Sequence, residues 1–127
     1  MSDRPKPGSI MWRDLTVEDA ARVRDFYAEV VGWRAEPVDM GEYSDFNMLV
    51  PGSGECTAGI CHARGGNAGL PAQWLMYITV DNIDRSLERC TALGGRVIAG
   101  PTKMGDARYC VIADPAGAVC ALYQPAP

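Results

Sequence analysis

The sequence carries one histidine, His62, and five cysteines: Cys56, Cys61, Cys90, Cys110 and Cys120. An imidazole changes charge near neutral pH, so His62 is the first candidate for proton transfer or metal ligation. Glu55, Cys56 and Cys61 lie close to it in sequence. Their spacing matches no zinc pattern, and no two cysteines form a C-x-x-C pair. His62 closes an apolar run beside a Gly-rich stretch, where a hydrogen-bonded structural role competes with a pocket acid–base role. The cysteines are odd in number and sit inside apolar runs, which suits reduced, buried thiols of a cytoplasmic protein rather than a disulfide framework. Cys110 is a conceivable nucleophile, but no activating base stands beside it in sequence.

Composition narrows the frame around these groups. The chain has 127 residues, a net charge of −4 and 47% hydrophobic residues. That is one domain with enough apolar material for a core, and neither a disordered nor a fibrous composition. No apolar run approaches the roughly 18 residues of a membrane span. Lysines and arginines are scattered on an acidic chain, so no nucleic-acid-tracking stripe is visible. Residues 1–8 are polar and Pro-rich and read as a flexible lead without the apolar centre of a secretory signal.

The elements that must position these side chains follow from periodicity. Ser9 to Leu15 reads as a strand, after which Thr16 can cap a helix with acids in its first turn. Ala20, Val23, Phe26, Tyr27, Val30 and Val31 recur three and four apart and predict one apolar helical face that Gly32 ends. Strands are predicted at Arg34 to Val38, Asp45 to Val50 and Thr57 to His62. A Gly-rich linker, 63–72, leads to a strand at Gln73 to Thr79. A second helix carries Ile83, Leu87, Cys90 and Leu93 on one face and ends at Gly94-Gly95. Strands follow at Arg96 to Ala99, Arg108 to Ala113 and Ala118 to Gln124, the last two joined by Asp114-Pro115-Ala116-Gly117.

The order of elements is therefore repeated. Thr16-Val17 matches Thr79-Val80, Asp19 matches Asn82, Gly32 matches Gly95, and Met40-Gly41 matches Met104-Gly105. The period is about 63 residues, too long for a solenoid and suited to two duplicated modules. The expectation is an α+β fold with one domain over 9–127, built of two tandem βαβββ modules, 9–62 and 73–124. Each half-sheet has one face covered by its helix, and curling the mixed sheet around a central cleft buries the other. Small ligands bind in such clefts.

Several of these segments also carry a family resemblance. Phe26-Tyr27 with Val31-Gly32-Trp33, Val80-Asp81-Asn82-Ile83-Asp84, Leu93-Gly94-Gly95, Gly100-Pro101 and Asp114-Pro115-Ala116-Gly117 occur in an order that resembles the vicinal oxygen chelate superfamily. That group includes glyoxalase I, bleomycin-binding proteins, fosfomycin-resistance enzymes and extradiol dioxygenases. The resemblance implies the paired βαβββ sheet, often reinforced by a homodimer, and leaves the reaction open.

In metal-dependent members a His or Gln sits early on the first strand of each half, and a Glu or another ligand on the last strand. Four inward side chains then hold a divalent ion with open positions for two substrate oxygens. Here those positions fall on Trp12, Leu75, Ala121, and Thr57 or Ala58. Indole, leucine and alanine offer no lone pair, so neither a metal nor another cofactor is expected.

Alternation along the strands then assigns the cleft lining. Trp12 shares its face with Ile10 and Asp14, Leu75 with Gln73 and Tyr77, and Ala121 with Val119 and Tyr123. A tight hairpin at 114–117 places Cys110 opposite Ala121 on the cleft side, and Cys120 on the helix side. Asp14 is a candidate general base, with Arg13 or Arg108 as alternative partners. Trp74 has the opposite parity and packs on a helix or at a dimer seam if it does not touch ligand. Met40, Met104 and Arg64 are candidate rim residues.

The ligand-binding candidates are thus Trp12, Asp14, His62, Trp74, Tyr77 and Tyr123. They suit a metal-independent binder of an apolar or aromatic small molecule that works as a homodimer. The alternatives are a lyase, isomerase or dioxygenase of the same superfamily, and a structural or regulatory dimeric partner.

Overall fold

The computed structural model describes residues 5–127. Positions 1–4 of the expected lead lie outside the described residues. The elements are β1 (Ile10–Val17), α1 (Ala20–Val31), β2 (Arg34–Asp39), β3 (Ser44–Leu49), β4 (Cys56–His62), β5 (Trp74–Thr79), α2 (Ile83–Ala92), β6 (Arg96–Met104), β7 (Ala107–Ala113) and β8 (Val119–Gln124). The βαβββ order occurs twice, and strands pair in both parallel and antiparallel senses. The α+β class and the tandem modules of the sequence reading are present. Among the described residues no helix is long and apolar enough to cross a membrane.

The chain divides into two compact units. One is Arg13–Trp74, and the other joins the residues up to Trp12 with Leu75–Pro127. The beginning of β1 therefore groups with the second module. Backbone bonding explains this: the Gly8 N–H donates to the Thr79 carbonyl and the Thr79 N–H donates to the Ser9 carbonyl, each at 2.8 Å.

In the unit 13–74 the strand order is β2-β3-β4-β1. β1 runs parallel to β4, with Leu15 beside Ile60 and Val17 beside His62. This ladder carries the strand two residues beyond the predicted end. Thr16 is consequently a buried strand residue, not the helix cap. Asp19 caps α1 instead, its Oδ1 accepting from the Arg22 N–H at 3.2 Å. Gly32 ends the helix at φ +80°, as predicted. Ala20, Phe46, Met48 and Ile60 form the core, with Val17, Val23, Tyr27, Trp33 and Trp74 packed against it. Phe26, Val30 and Val31 were predicted on the buried face but are 56%, 61% and 49% exposed. Tyr27 takes the sheet-facing position, and successive helix residues point about 100° apart, so Phe26 is turned away.

In the other unit the order is β5-β8-β7-β6. Asn82 caps α2 through Oδ1 to the Arg85 N–H, and Gln124 Oε1 accepts from the Ile83 N–H at 2.8 Å. Ile83, Cys110 and Leu122 form the core under α2, with Ile78, Val80, Leu87 and Ile112. Leu93, expected on the buried face, is 64% exposed. β6 runs past Ala99 to Met104, through two register shifts, the second of which spans a cis Gly100–Pro101 bond. Gly100 has φ +83°, and a Cβ there would lie 2.9 Å from the Tyr109 carbonyl oxygen, so only glycine fits.

Candidate functional site

The helix-free face of the 75–127 unit is set by one hairpin. Asp114 accepts the Gly117 N–H at its carbonyl, and its N–H donates to the Ala118 carbonyl. Its Oδ1 accepts from the N–H groups of Ala116 and Ala118 at 2.8 and 3.0 Å. Gly117, at φ +88°, is bulged out between the paired Asp114 and Ala118. A type I turn would splay the strands, and a glycine bulge restores their twist. The extra residue moves the register one place from the tight-hairpin expectation. Tyr109 lies opposite Tyr123, Cys110 opposite Leu122, and Val111 opposite Ala121.

Cys110 is therefore on the helix side, in the core under α2, which corrects its predicted cleft position. Burial pushes its thiol up to about 11. Cys120, opposite Ile112, shares that face with Cys110, and every cysteine is free. Cys56 is exposed, contrary to the expectation that all five are buried.

The same register brings three phenols to the helix-free face. Tyr77 pairs with Ala121, Thr79 with Tyr123, and Tyr109 with Tyr123. The Tyr77 and Tyr109 rings stand 6.3 Å apart at 48°. The tyrosines are half-buried, over a floor of fully buried Leu75, Val111 and Ala121. Thr79 is 2% exposed, and its buried Oγ1 has no hydrogen-bond partner among the described residues. Tyr109 and Thr79 were not among the predicted site residues. The Gly117 bulge is the signal that finds Tyr109, and alternation from Tyr77 finds Thr79. Trp12, half-buried on β1, belongs to this unit.

In the unit 13–74, Asp14 lies beside Gly59, and Thr16 beside Cys61, on one face of the β1–β4 ladder. Burial pushes the Cys61 thiol up to about 12, and the carboxylates of Asp14 and Asp45 reinforce this. Cys61 is thus a protonated thiol rather than a nucleophile. Asp14 is half-buried, with its Oδ1 atom fully enclosed. Arg13 Nη1 donates to the Thr57 carbonyl at 2.8 Å, and Arg108 makes a two-point pair with Asp84 at 2.9 and 3.0 Å.

His62 is held by Asp45. One carboxylate oxygen accepts from the His62 backbone N–H at 2.8 Å and stands 3.3 Å from Nδ1. Tyr43 meets the imidazole edge-on at 5.4 Å. Trp74 is taken up in the packing under α1. Its Nε1 donates to the Tyr27 hydroxyl at 3.0 Å, and its ring stands edge-on to Tyr27 and Trp33. Met40 and Met104 are exposed, and Arg64 pairs loosely with Glu42 at 3.7 Å.

The superfamily's metal positions do not suit an ion here. Leu75 and Ala121 are fully buried hydrocarbon, Trp12 offers an indole, and Thr57 or Ala58 offers at most one hydroxyl. Among the described residues no group of three His, Cys, Asp or Glu side chains is placed to hold a metal. The donor set does not fit the metal chemistry of the family's metal-dependent members.

Four similarities to known proteins bear on this arrangement. The protein CFP32 of Mycobacterium bovis is 30% identical over 121 residues, covering 94% of this chain and 45% of that protein. The anthracycline biosynthesis protein DnrV of Streptomyces peucetius is 33% identical over 134 residues, covering 93% and 47%. The chain thus spans about half the length of the curated relatives it matches. A superfamily member of known structure from Vibrio splendidus superposes with a TM-score of 0.59 at 11% identity, covering 92% of this chain and all of that one, and so shares the fold. Residues 8–122 match the glyoxalase/bleomycin resistance protein/dioxygenase superfamily, and the chain belongs to that superfamily.

Proposed function

We propose that this protein binds an apolar or aromatic small molecule, without a metal, on the helix-free face that carries Tyr77, Tyr109 and Tyr123. The observation that carries the reading is the cross-strand grouping of three half-buried phenols over a hydrocarbon floor. Aromatic rings present large apolar faces for stacking, and their hydroxyls orient a polar edge of the ligand. The unpartnered Thr79 hydroxyl adds a polar group beside Tyr123. Trp12 belongs to the same unit. DnrV is named for the biosynthesis of an anthracycline, and its likeness favours a fused-ring aromatic ligand for this chain as well.

The protein acts as a homodimer in this reading. The exposed Ile10, Met11 and Met76 supply apolar area for the second copy. The test is titration of a fused-ring anthraquinone into chelator-treated protein, followed by calorimetry. Saturable binding that weakens in Tyr109→Ala and Tyr123→Ala supports the reading. Equal affinity in the wild type and both variants rejects it.

A further inference from the structure

We propose that Asp45 and His62 form a proton-accepting dyad that binds a weakly acidic aromatic hydroxyl as its anion, with Arg64 as the counter-charge. The site lies within the unit 13–74 and does not rest on the tyrosine-face reading.

His62 has no acid–base role in ligand binding at the tyrosine face. Its Nδ1 stands 3.3 Å from Asp45 Oδ1. A carboxylate only accepts, so a hydrogen bond between the two requires a proton on Nδ1, and in that tautomer of the neutral imidazole Nε2 carries the lone pair. The same Oδ1 accepts the His62 backbone N–H at 2.8 Å, which fixes the carboxylate against the ring. Phe46 flanks the imidazole at 6.1 Å, and Tyr43 stands edge-on at 5.4 Å. The His62 and Asp45 side chains are 22% and 14% exposed, so water screens their pairing little while part of the His62 side chain stays accessible.

This is the arrangement of an oriented base. Asp45 stabilises the imidazolium that forms when Nε2 takes a proton. Arg64, which shares the neighbour Tyr43 with His62, is the proposed counter-charge for the resulting anion. The Arg64 guanidinium stacks on the Tyr43 ring at 4.0 Å, and the same ring touches His62. The ion pair of Arg64 with Glu42 is long, at 3.7 Å, and the Glu42 side chain is 91% exposed, so the pair yields readily to a better anion. Cys61 also hydrogen-bonds Asp45, but its thiol stays protonated and does not compete for the proton.

The step is a proton transfer alone. The hydroxyl O–H bond breaks, its proton forms a bond to Nε2, and the oxygen keeps the electron pair as a phenolate beside Arg64. No oxidation and no leaving group are involved.

4-Nitrophenol is the probe, because its anion absorbs visible light and its neutral form does not. Protein labelled with 15N in its single histidine is titrated with it, slightly below the pH at which the free phenol ionises. The expected result is a saturable phenolate band, with Nε2 moving from a lone-pair to an N–H chemical shift in step. Asp45→Asn weakens the apparent affinity about tenfold by replacing a charge-assisted bond with a neutral one. His62→Gln abolishes the band. An Nε2 that keeps its lone-pair shift at saturating phenol overturns the proposal, and this readout needs no variant to fold. A phenolate band that persists in folded His62→Gln also overturns it.

Discussion

Tyr109 lies directly across the β7–β8 ladder from Tyr123, because Gly117 is bulged out of the hairpin that joins the two strands. A single glycine conformation therefore decides whether a phenol or the Cys110 thiol faces away from α2.

The first prediction follows from that pairing. Tyr109→Ala lowers affinity for a fused-ring aromatic about fivefold, from roughly 1 kcal/mol of lost ring contact. Cys110→Ala leaves affinity unchanged and lowers stability, because Cys110 packs against Ile83 and Leu122. Calorimetric titration and denaturant melts of both variants separate the two effects.

Gly117→Ala forces a side chain into left-handed backbone at φ +88°. The expected cost is about 1–2 kcal/mol. A tight turn without the bulge would relieve it by shifting the register. Denaturant unfolding measures the cost, and cross-strand amide contacts by NMR report the register.

Trp74→Phe removes the 3.0 Å bond from Nε1 to the Tyr27 hydroxyl. The loss is about 1 kcal/mol, and Tyr27→Phe costs a similar amount. The two are not additive, because each deletes the same bond, and a double-mutant cycle shows it. Ligand affinity stays at the wild-type value in both.

Cys61 gives a pH dependence. Its thiol is held up at about 12, against 9.0 for an unperturbed thiol, by burial and then by Asp14 and Asp45. The unfolded chain therefore releases this proton first as pH rises. The stabilising contribution is complete below pH 9.0 and is lost between there and about pH 12. Chemical denaturation across that window shows a falling stability, and Cys61→Ala flattens the slope. Alkylation at mildly alkaline pH labels exposed Cys56 well before Cys61 or Cys110.

Much of the fold was legible because its signals are local and repeated. The apolar spacing of Ala20, Val23 and Tyr27, the helix end at Gly32 and the match of Asp19 to Asn82 are in the sequence, and in the structure Gly32 is left-handed and Asp19 and Asn82 both cap helices. What was not legible depends on pairing partners. Thr16 has the chemistry of a cap, but parallel pairing with Cys61 draws it into β1 and leaves the cap to Asp19. Asp114-Pro115-Ala116-Gly117 announces a turn without saying whether its glycine pairs or bulges, and that one residue exchanged Cys110 for Tyr109. Tyr77 and Tyr123 needed only alternation to be placed on one face. The Asp45–His62 contact needed β3 and β4 to be side by side, which no local pattern shows.

The most direct test of the tyrosine-face account is the ring NMR spectrum of the five tyrosines during titration of chelator-treated protein with a fused-ring anthraquinone. Tyr27, packed under α1 and bonded to Trp74, is the internal control. The account predicts saturable shifts of the Tyr77, Tyr109 and Tyr123 rings with Tyr27 unmoved. Binding that leaves those three rings unmoved, or that requires an added divalent ion, contradicts it.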